Sequence, residues 1–259
     1  NLPTPITVEQ VTDWLRHLKP DRGLGCDHWA PREMLQLPPE ALEGLTRLLN
    51  NIEAKGVFPQ QVLMNLICLL PKPTGGERPI CLASLLYVVW SGIRSPIVRD
   101  WDARWVGHWD DAVRGSSALK AALKRRILDE CAVLKRESTA GIYWDVEKFY
   151  DSINIVRLAE LSKEFNFPIA VSSLDLQVHV APRVVRWANF YSEATPIFSS
   201  ILAGSKFSNS YARIALYRLL DAAHALLPDQ VRQYVDDLAQ VQRGIFVITR
   251  LSKGPDCYL

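Results

Sequence analysis

An α+β fold is the class this sequence predicts, and three observations carry the prediction. Segments with apolar residues at helical spacing carry their own capping residues, as at 7–19 and 39–55. Short apolar runs flank Pro/Gly-rich or acidic turns, as at 62–83 and 231–240, which is the pattern of antiparallel hairpins. With 48% apolar and 22% charged residues over 259 positions, there is enough apolar material for one large domain or two small ones. The expected architecture is a small antiparallel sheet packed on helices.

In chain order, TVEQVTDWLRHLK (7–19) opens on a Thr7/Gln10 capping box, carries Val8, Val11, Trp14, Leu15 and Leu18 at helical spacing, and ends at Pro20. After the loop DRGLGCDHWAP, a second helix is predicted from Pro39 to Lys55, with proline at its start and Gly56 past its end. Leu42, Leu45, Leu48, Leu49 and Ile52 make its expected buried stripe. VLMNLICLL (62–70) reads as a buried strand that turns through PKPTGGERP into a return strand at Ile80 to Ala83. Leu85 to Val106 reads as helix, broken near Pro96. A helix at 116–137, capped by Ser116 or Ser117, carries Lys120, Lys124 and Arg125; a solvated face is the ordinary reading and a nucleic-acid backbone contact the functional one. Gly141 to Trp144 is a short strand ending in Asp145, and a helix from Asn154 to Phe165 is capped by Ser152 or Asn154. Residues 168–179 read as helix, 183–191 as one strand, 205–226 as a long helix, and GIFVITR (244–250) as a further strand.

The remaining totals exclude more than they assert. Thirty basic and 28 acidic residues leave a net charge of +2, so any surface for a polyanion must be local. The five cysteines at 26, 68, 81, 131 and 257 include no C-x-x-C pair, which points to free thiols in a reducing, intracellular compartment and to no zinc site. Nucleus and cytoplasm are not distinguished. No apolar run reaches membrane-spanning length, so no membrane partner is expected. The first residue is Asn1 rather than Met, as in a fragment or processed piece.

The chemistry concentrates in VRQYVDDLAQVQ, where Asp236 and Asp237 interrupt an apolar run. Two adjacent carboxylates suit the tip of a tight hairpin, and alone they read most often as a solvated turn. A third acid changes that reading. Asp145 ends a predicted strand 91 positions before Asp236 (236 − 145). If the two strands pair, Asp145, Asp236 and Asp237 form a cluster able to hold two Mg²⁺ (or Mn²⁺) for an in-line phosphoryl displacement. Lys72 and Arg78, on either side of the Pro/Gly turn, are either solvated or suited to phosphates.

The order of these stretches resembles the reverse transcriptase family, of the non-long-terminal-repeat retroelement and group II intron type. GCDHWAP, LLPKPTGGERPICLAS, GSSALKAALKRR, DVEKFYDS, SILAGSKFSN and YVDD are similar, in order, to its motifs over residues 20–240. YVDD alone is weak; together with D-x-x-x-F-Y-D-S and an intervening Gly loop and helix it is specific. The resemblance implies a right-hand polymerase: N-terminal helices and fingers over 1–137, and a palm over 138–259 that is truncated at its C-terminal end, with no thumb. It implies Asp145, Val146 and Asp236 as metal ligands and Asp237 as a third catalytic acid nearer the primer. It implies Tyr150 as the ring that excludes a 2′-hydroxyl, Lys72 and Arg78 as triphosphate contacts, and Gly204 as the residue that admits the nascent pair. Implied partners are an RNA template, a DNA or RNA primer and dNTPs, with Lys120, Lys124 and Arg125 on the nucleic acid. The alternative is a polymerase-like remnant that binds RNA or protein without chemistry. Three departures are Ala203 where the family usually has Gln, Trp29 in place of a usual Gly, and the lack of a clear downstream Lys motif, Lys253 being a loose candidate.

Overall fold

The computed structural model describes residues 3–73, 75–228, 230–235 and 237–243. Asp236, GIFVITR, Lys253 and Cys257 lie outside the described residues. Among those described are nine helices and two small sheets, an α+β arrangement. No described helix is long and apolar enough to cross a membrane. The chain divides into two compact units that interleave in sequence: Asn1–Asp102 with Tyr150–Tyr211, and Ala103–Phe149 with Ala212–Leu259. This partition follows packing, whereas the motif-based boundary at 137/138 followed sequence segments.

The first unit begins with α1 (Val8–His17), which has the Thr7/Gln10 capping box, and α2 (Pro31–Leu35), a single extra turn. α3 (Pro39–Lys55) ends on Gly56 at φ 65°, the left-handed cap that glycine adopts without a Cβ penalty. Its buried side is set by Thr46, Leu49 and Ile52. Leu48, placed in the stripe by spacing, is 39% exposed, because the stripe is narrower than the run of leucines suggests. β1 (Asn65–Pro71) and β2 (Glu77–Leu82) form the expected antiparallel hairpin. Only the first half of β1 is buried, contrary to a fully buried strand; its last residues run out with the exposed hairpin.

α4 (Leu85–Arg104) runs straight through Pro96 rather than breaking there. Pro96 is exposed, so its ring stands at the surface and displaces no core side chain. The start of α4 is capped from far away in sequence. Asp27 Oδ2 accepts from the Leu85 N–H at 2.7 Å and from Ser84 Oγ at 2.7 Å. Gly25 makes this possible, since a Cβ there would lie 2.6 Å from the Ala83 carbonyl oxygen. Trp90 sits at the centre of the core, with Phe58 edge-on at 5.3 Å. Its indole donates to Glu53 Oε1 at 2.9 Å, and Glu53 also pairs with buried Arg94.

α6 (Phe149–Ser152) straddles the unit boundary; α7 (Ile155–Glu164), capped by Asn154, and α8 (Ile169–Val180) follow in the first unit. RVVRWANFY is two strands, β4 (Arg183–Trp187) and β5 (Phe190–Tyr191), not one. Alternation continues through the tight turn, where Ala188 takes φ 52°, and this hides the turn in the sequence. β4 pairs in parallel with β1, giving the order β2-β1-β4-β5. α9 (Ser208–Leu226) begins three residues later than expected and also crosses between units.

The second unit holds α5 (Ala118–Leu134), capped by Ser117, and a three-stranded sheet in the order β3-β7-β6. Its strands are β3 (Thr139–Asp145), β6 (Val231–Tyr234) and β7 (Asp237–Arg243), all antiparallel to their neighbours. Trp109, buried against Tyr217 at 5.3 Å between centroids, anchors this unit.

Candidate active site

β6 and β7 form an antiparallel hairpin, with Asp237 paired as the first residue of β7 rather than standing at the tip. Tyr234 pairs with Asp237 at the closed end of the hairpin, and Val235 follows directly on β6. Val235 has φ 60°, a left-handed conformation in which a β-branched residue is strained by about 1–2 kcal/mol. Strain of this kind persists only where surrounding structure imposes it, and it concentrates at functional sites. The imposing contacts are identifiable. Gln233, 3% exposed, donates from Nε2 to the Val235 carbonyl at 2.6 Å. Its own backbone N–H donates to the Trp109 carbonyl at 2.8 Å, and its carbonyl accepts from the Asp111 N–H at 2.8 Å. The hairpin is thus held on its outer side by residues 109–111.

β3 supplies the other half. It pairs with β7 from Thr139 to Asp145, and the ladder ends with Asp145 directly opposite Asp237. Facing residues of an antiparallel pair stand about 5 Å apart at Cβ, so two exposed carboxylates converge at one sheet end. Val146, half-buried, follows at the strand exit. Among the described residues no group of three His, Cys, Asp or Glu side chains gathers to hold a metal; Asp236, the third acid, lies outside them. Asp145 and Asp237 fit Mg²⁺ in kind, since that ion takes hard oxygen ligands and needs only one or two carboxylates when phosphates and water complete its shell.

A groove of about 920 Å³ runs between α5 and this sheet, within the second unit. Asp145, Asp237, Tyr143, Trp144, Arg125 and Arg126 are among its lining residues, so the acids share a concavity with cations and exposed aromatic rings. The three cations singled out on α5 have internal partners. Lys120 Nζ donates to the Gly115 carbonyl at 2.6 Å, Lys124 lies 3.3 Å from Asp111, and Arg125 pairs with Asp129 at 2.8 Å. Such partly exposed pairs contribute about 0–1 kcal/mol each, so exchanging them for a phosphate costs little.

The remaining sequence-predicted residues lie in the first unit. Lys72 and Arg78 are exposed on the β1-β2 hairpin, whose turn is closed by Lys72 N–H to the Gly76 carbonyl at 3.0 Å. Tyr150 donates its hydroxyl to Asn209 Oδ1 at 3.1 Å, and its carbonyl accepts from the Ile201 N–H at 2.9 Å. Gly204 takes φ 88° in an exposed turn, with open space where a Cβ would project. The next acid along, Asp151, accepts from Ser200 Oγ at 2.9 Å, which in turn accepts from Arg183 at 3.0 Å. The segment 200–204 is therefore stitched to the start of the 150–153 segment.

Sequence reasoning missed three supporting residues: Gln233 under the hairpin, Asn209 on the Tyr150 hydroxyl, and Asp27 capping α4. No local signal marks the first two. The Asp27 cap has a trace in the G-x-D spacing, but its target is 58 residues away. In comparison with known proteins, the chain matches no protein-family model and no curated protein.

Proposed function

We propose that the chain is the fingers and palm portion of an RNA-directed DNA polymerase of the retroelement type. The reaction is attack of a primer 3′-hydroxyl on the α-phosphate of a dNTP, with pyrophosphate leaving. One observation carries the reading. Two acids 92 positions apart (237 − 145), one closing β3 and one opening β7, stand opposite each other close to the strained Val235. A solvated acidic turn requires no such partner.

In this reading Asp145, Asp236 and the Val146 carbonyl hold two Mg²⁺ or Mn²⁺ ions. Bound there, the ions supply charge stabilisation for the attacking and leaving oxygens. Asp237 lies toward the primer terminus. Tyr150, its hydroxyl anchored on Asn209, presents a ring that excludes a ribose 2′-hydroxyl. Lys72 and Arg78 neutralise the triphosphate, and the open space at Gly204 admits the nascent base pair. Lys120, Lys124 and Arg125 accept the backbone of an RNA template and its primer. Four free thiols, Cys26, Cys68, Cys81 and Cys131, suit a reducing intracellular compartment.

The test is RNA-templated extension of a labelled primer with dNTPs and Mg²⁺. Extension is expected, with a loss of about 100-fold or more in Asp145→Asn and Asp236→Asn, the scale of removing charge stabilisation from a reacting centre. RNA binding without extension, or equal activity in parent and variants, would refute the proposal.

A further inference from the structure

A buried hydrogen-bond circuit in the first unit begins and ends in the turn that carries Gly204. Asp175 and His179 stand one turn apart on α8, and both are fully buried. The Leu202 N–H points at His179 Nδ1 at 2.8 Å. A backbone N–H can only donate, so Nδ1 must be the bare nitrogen, and the proton of the neutral ring sits on Nε2. Nε2–H then donates to Asp175 Oδ2 at 3.1 Å. The other carboxylate oxygen accepts from the Tyr87 hydroxyl at 2.5 Å. With its proton committed to Asp175, Tyr87 can only accept from Ser205, 2.7 Å away. Burial and the neighbouring Asp175 charge push the Tyr87 hydroxyl well above its ordinary range, which keeps it a donor.

The direction of every bond is thereby determined: Ser205 to Tyr87, Tyr87 to Asp175, His179 to Asp175, and Leu202 to His179. Inside the circuit lie only Ala203 and Gly204, both exposed. The turn is closed on itself by the Ser205 N–H to the Leu202 carbonyl at 3.1 Å, and Ser208 Oγ donates to that same carbonyl at 2.5 Å. Tyr211 packs edge-on against the imidazole at 5.6 Å and walls off water. Four bonds with each direction set favour one arrangement of the donors and acceptors they join. Buried polar groups of this kind cost stability relative to an apolar core, so a function for the rigidity is called for.

We propose that Tyr87, Asp175 and His179 are positioning residues that hold the Leu202–Ser205 turn, and through it Gly204, in a fixed pose for the incoming nucleotide. The circuit stands on the geometry alone; its consequence at the nucleotide rests on the polymerase reading. The residues touch no reacting atom. They act by denying the turn alternative conformations, as an orienting carboxylate fixes an imidazole tautomer elsewhere.

The experiment has two arms. The first needs no activity: ¹⁵N spectra of the imidazoles at neutral pH, and amide exchange at Leu202, in the full chain and in Asp175→Asn. Expected are an Nε2–H tautomer for His179 in the parent and a protected Leu202 amide. Asp175→Asn leaves one oxygen for two donors; with the Tyr87 hydroxyl keeping it, the NH2 faces Nε2, moves the ring proton to Nδ1, and speeds Leu202 exchange about tenfold, the loss of one buried hydrogen bond. An Nδ1–H or cationic ring in the parent overturns the proposal, as does unchanged exchange in the variant. Should Asp175→Asn not fold, Tyr87→Phe keeps the ring, and faster exchange at Ser205 is expected there instead. The second arm is primer extension. Tyr87→Phe and Ser205→Ala should raise KM for dNTP by about 3- to 10-fold with kcat within about twofold, and Ser205→Thr should restore it. Unchanged KM in both overturns the proposal. If the parent extends no primer, the polymerase reading fails, while the first arm still decides the circuit.

Discussion

Replacing Asp145 with Asn should change stability in opposite directions depending on metal. Asp145 faces Asp237 across the last rung of the β3–β7 ladder, and both side chains are exposed. Facing Cβ atoms stand about 5 Å apart, and two unit charges at a separation of that order would repel by about 0.8 kcal/mol in water and about 3 kcal/mol at an effective dielectric of 20. Exposure places the pair near the lower figure, about 0.5–1 kcal/mol. Without divalent ions, then, Asp145→Asn should be the more stable protein by that amount, about 1–3 °C in Tm for a chain of this size. With Mg²⁺ at about 100 times its Kd, the parent should gain about 2.7 kcal/mol and the variant should lose most of that gain. The curves cross. Scanning calorimetry of both proteins in EDTA and across an Mg²⁺ or Mn²⁺ series measures it. A variant less stable than the parent in EDTA, or one with an undiminished metal response, would refute the placement of a metal ligand at Asp145.

Three further outcomes follow from the geometry. Glu53→Ala leaves buried Arg94 and the Trp90 indole without their shared acceptor, and urea unfolding should show a loss of about 3–5 kcal/mol. Val235→Gly relieves a left-handed β-branched residue by about 1–2 kcal/mol and adds about 0.5–1 kcal/mol of unfolded-chain freedom, so a higher urea midpoint is expected; a lower one contradicts the strain. Burial pushes the Cys81 thiol up to about 12, so the unfolded chain ionises first as pH rises. Stability should fall between pH 9 and 12 by about 1.4 kcal/mol per unit from this group, and Cys81→Ala should flatten the fall in alkaline titrations followed by circular dichroism.

Where signal and partner are near neighbours in the chain, the sequence by itself determined the outcome. Thr7 and Gln10 cap α1, Gly56 ends α3, Ser117 and Asn154 open α5 and α7, and the β6–β7 turn forms around Val235. Each is settled within a few residues, because a cap or turn bonds its own backbone. The approach of Asp145 to the acidic hairpin was legible only on the condition that the two strands pair, because Asp145 closes an apolar strand whereas Asp237 opens the mixed strand β7. The tertiary structure alone decided the rest. It set β1 beside β4, 118 residues later by register (183 − 65), and sent Asp27 to cap α4. It exposed Leu48, and carried α4 through Pro96 by leaving that ring at the surface. It also closed the circuit from Leu202 through His179, Asp175 and Tyr87 to Ser205. Asp175 and His179 share an i, i+4 spacing, but nothing along the chain ties them to Tyr87 or Ser205. They become a unit only when α4 and α8 bury them together, so that their polar atoms must pair with one another and with the 202–205 turn.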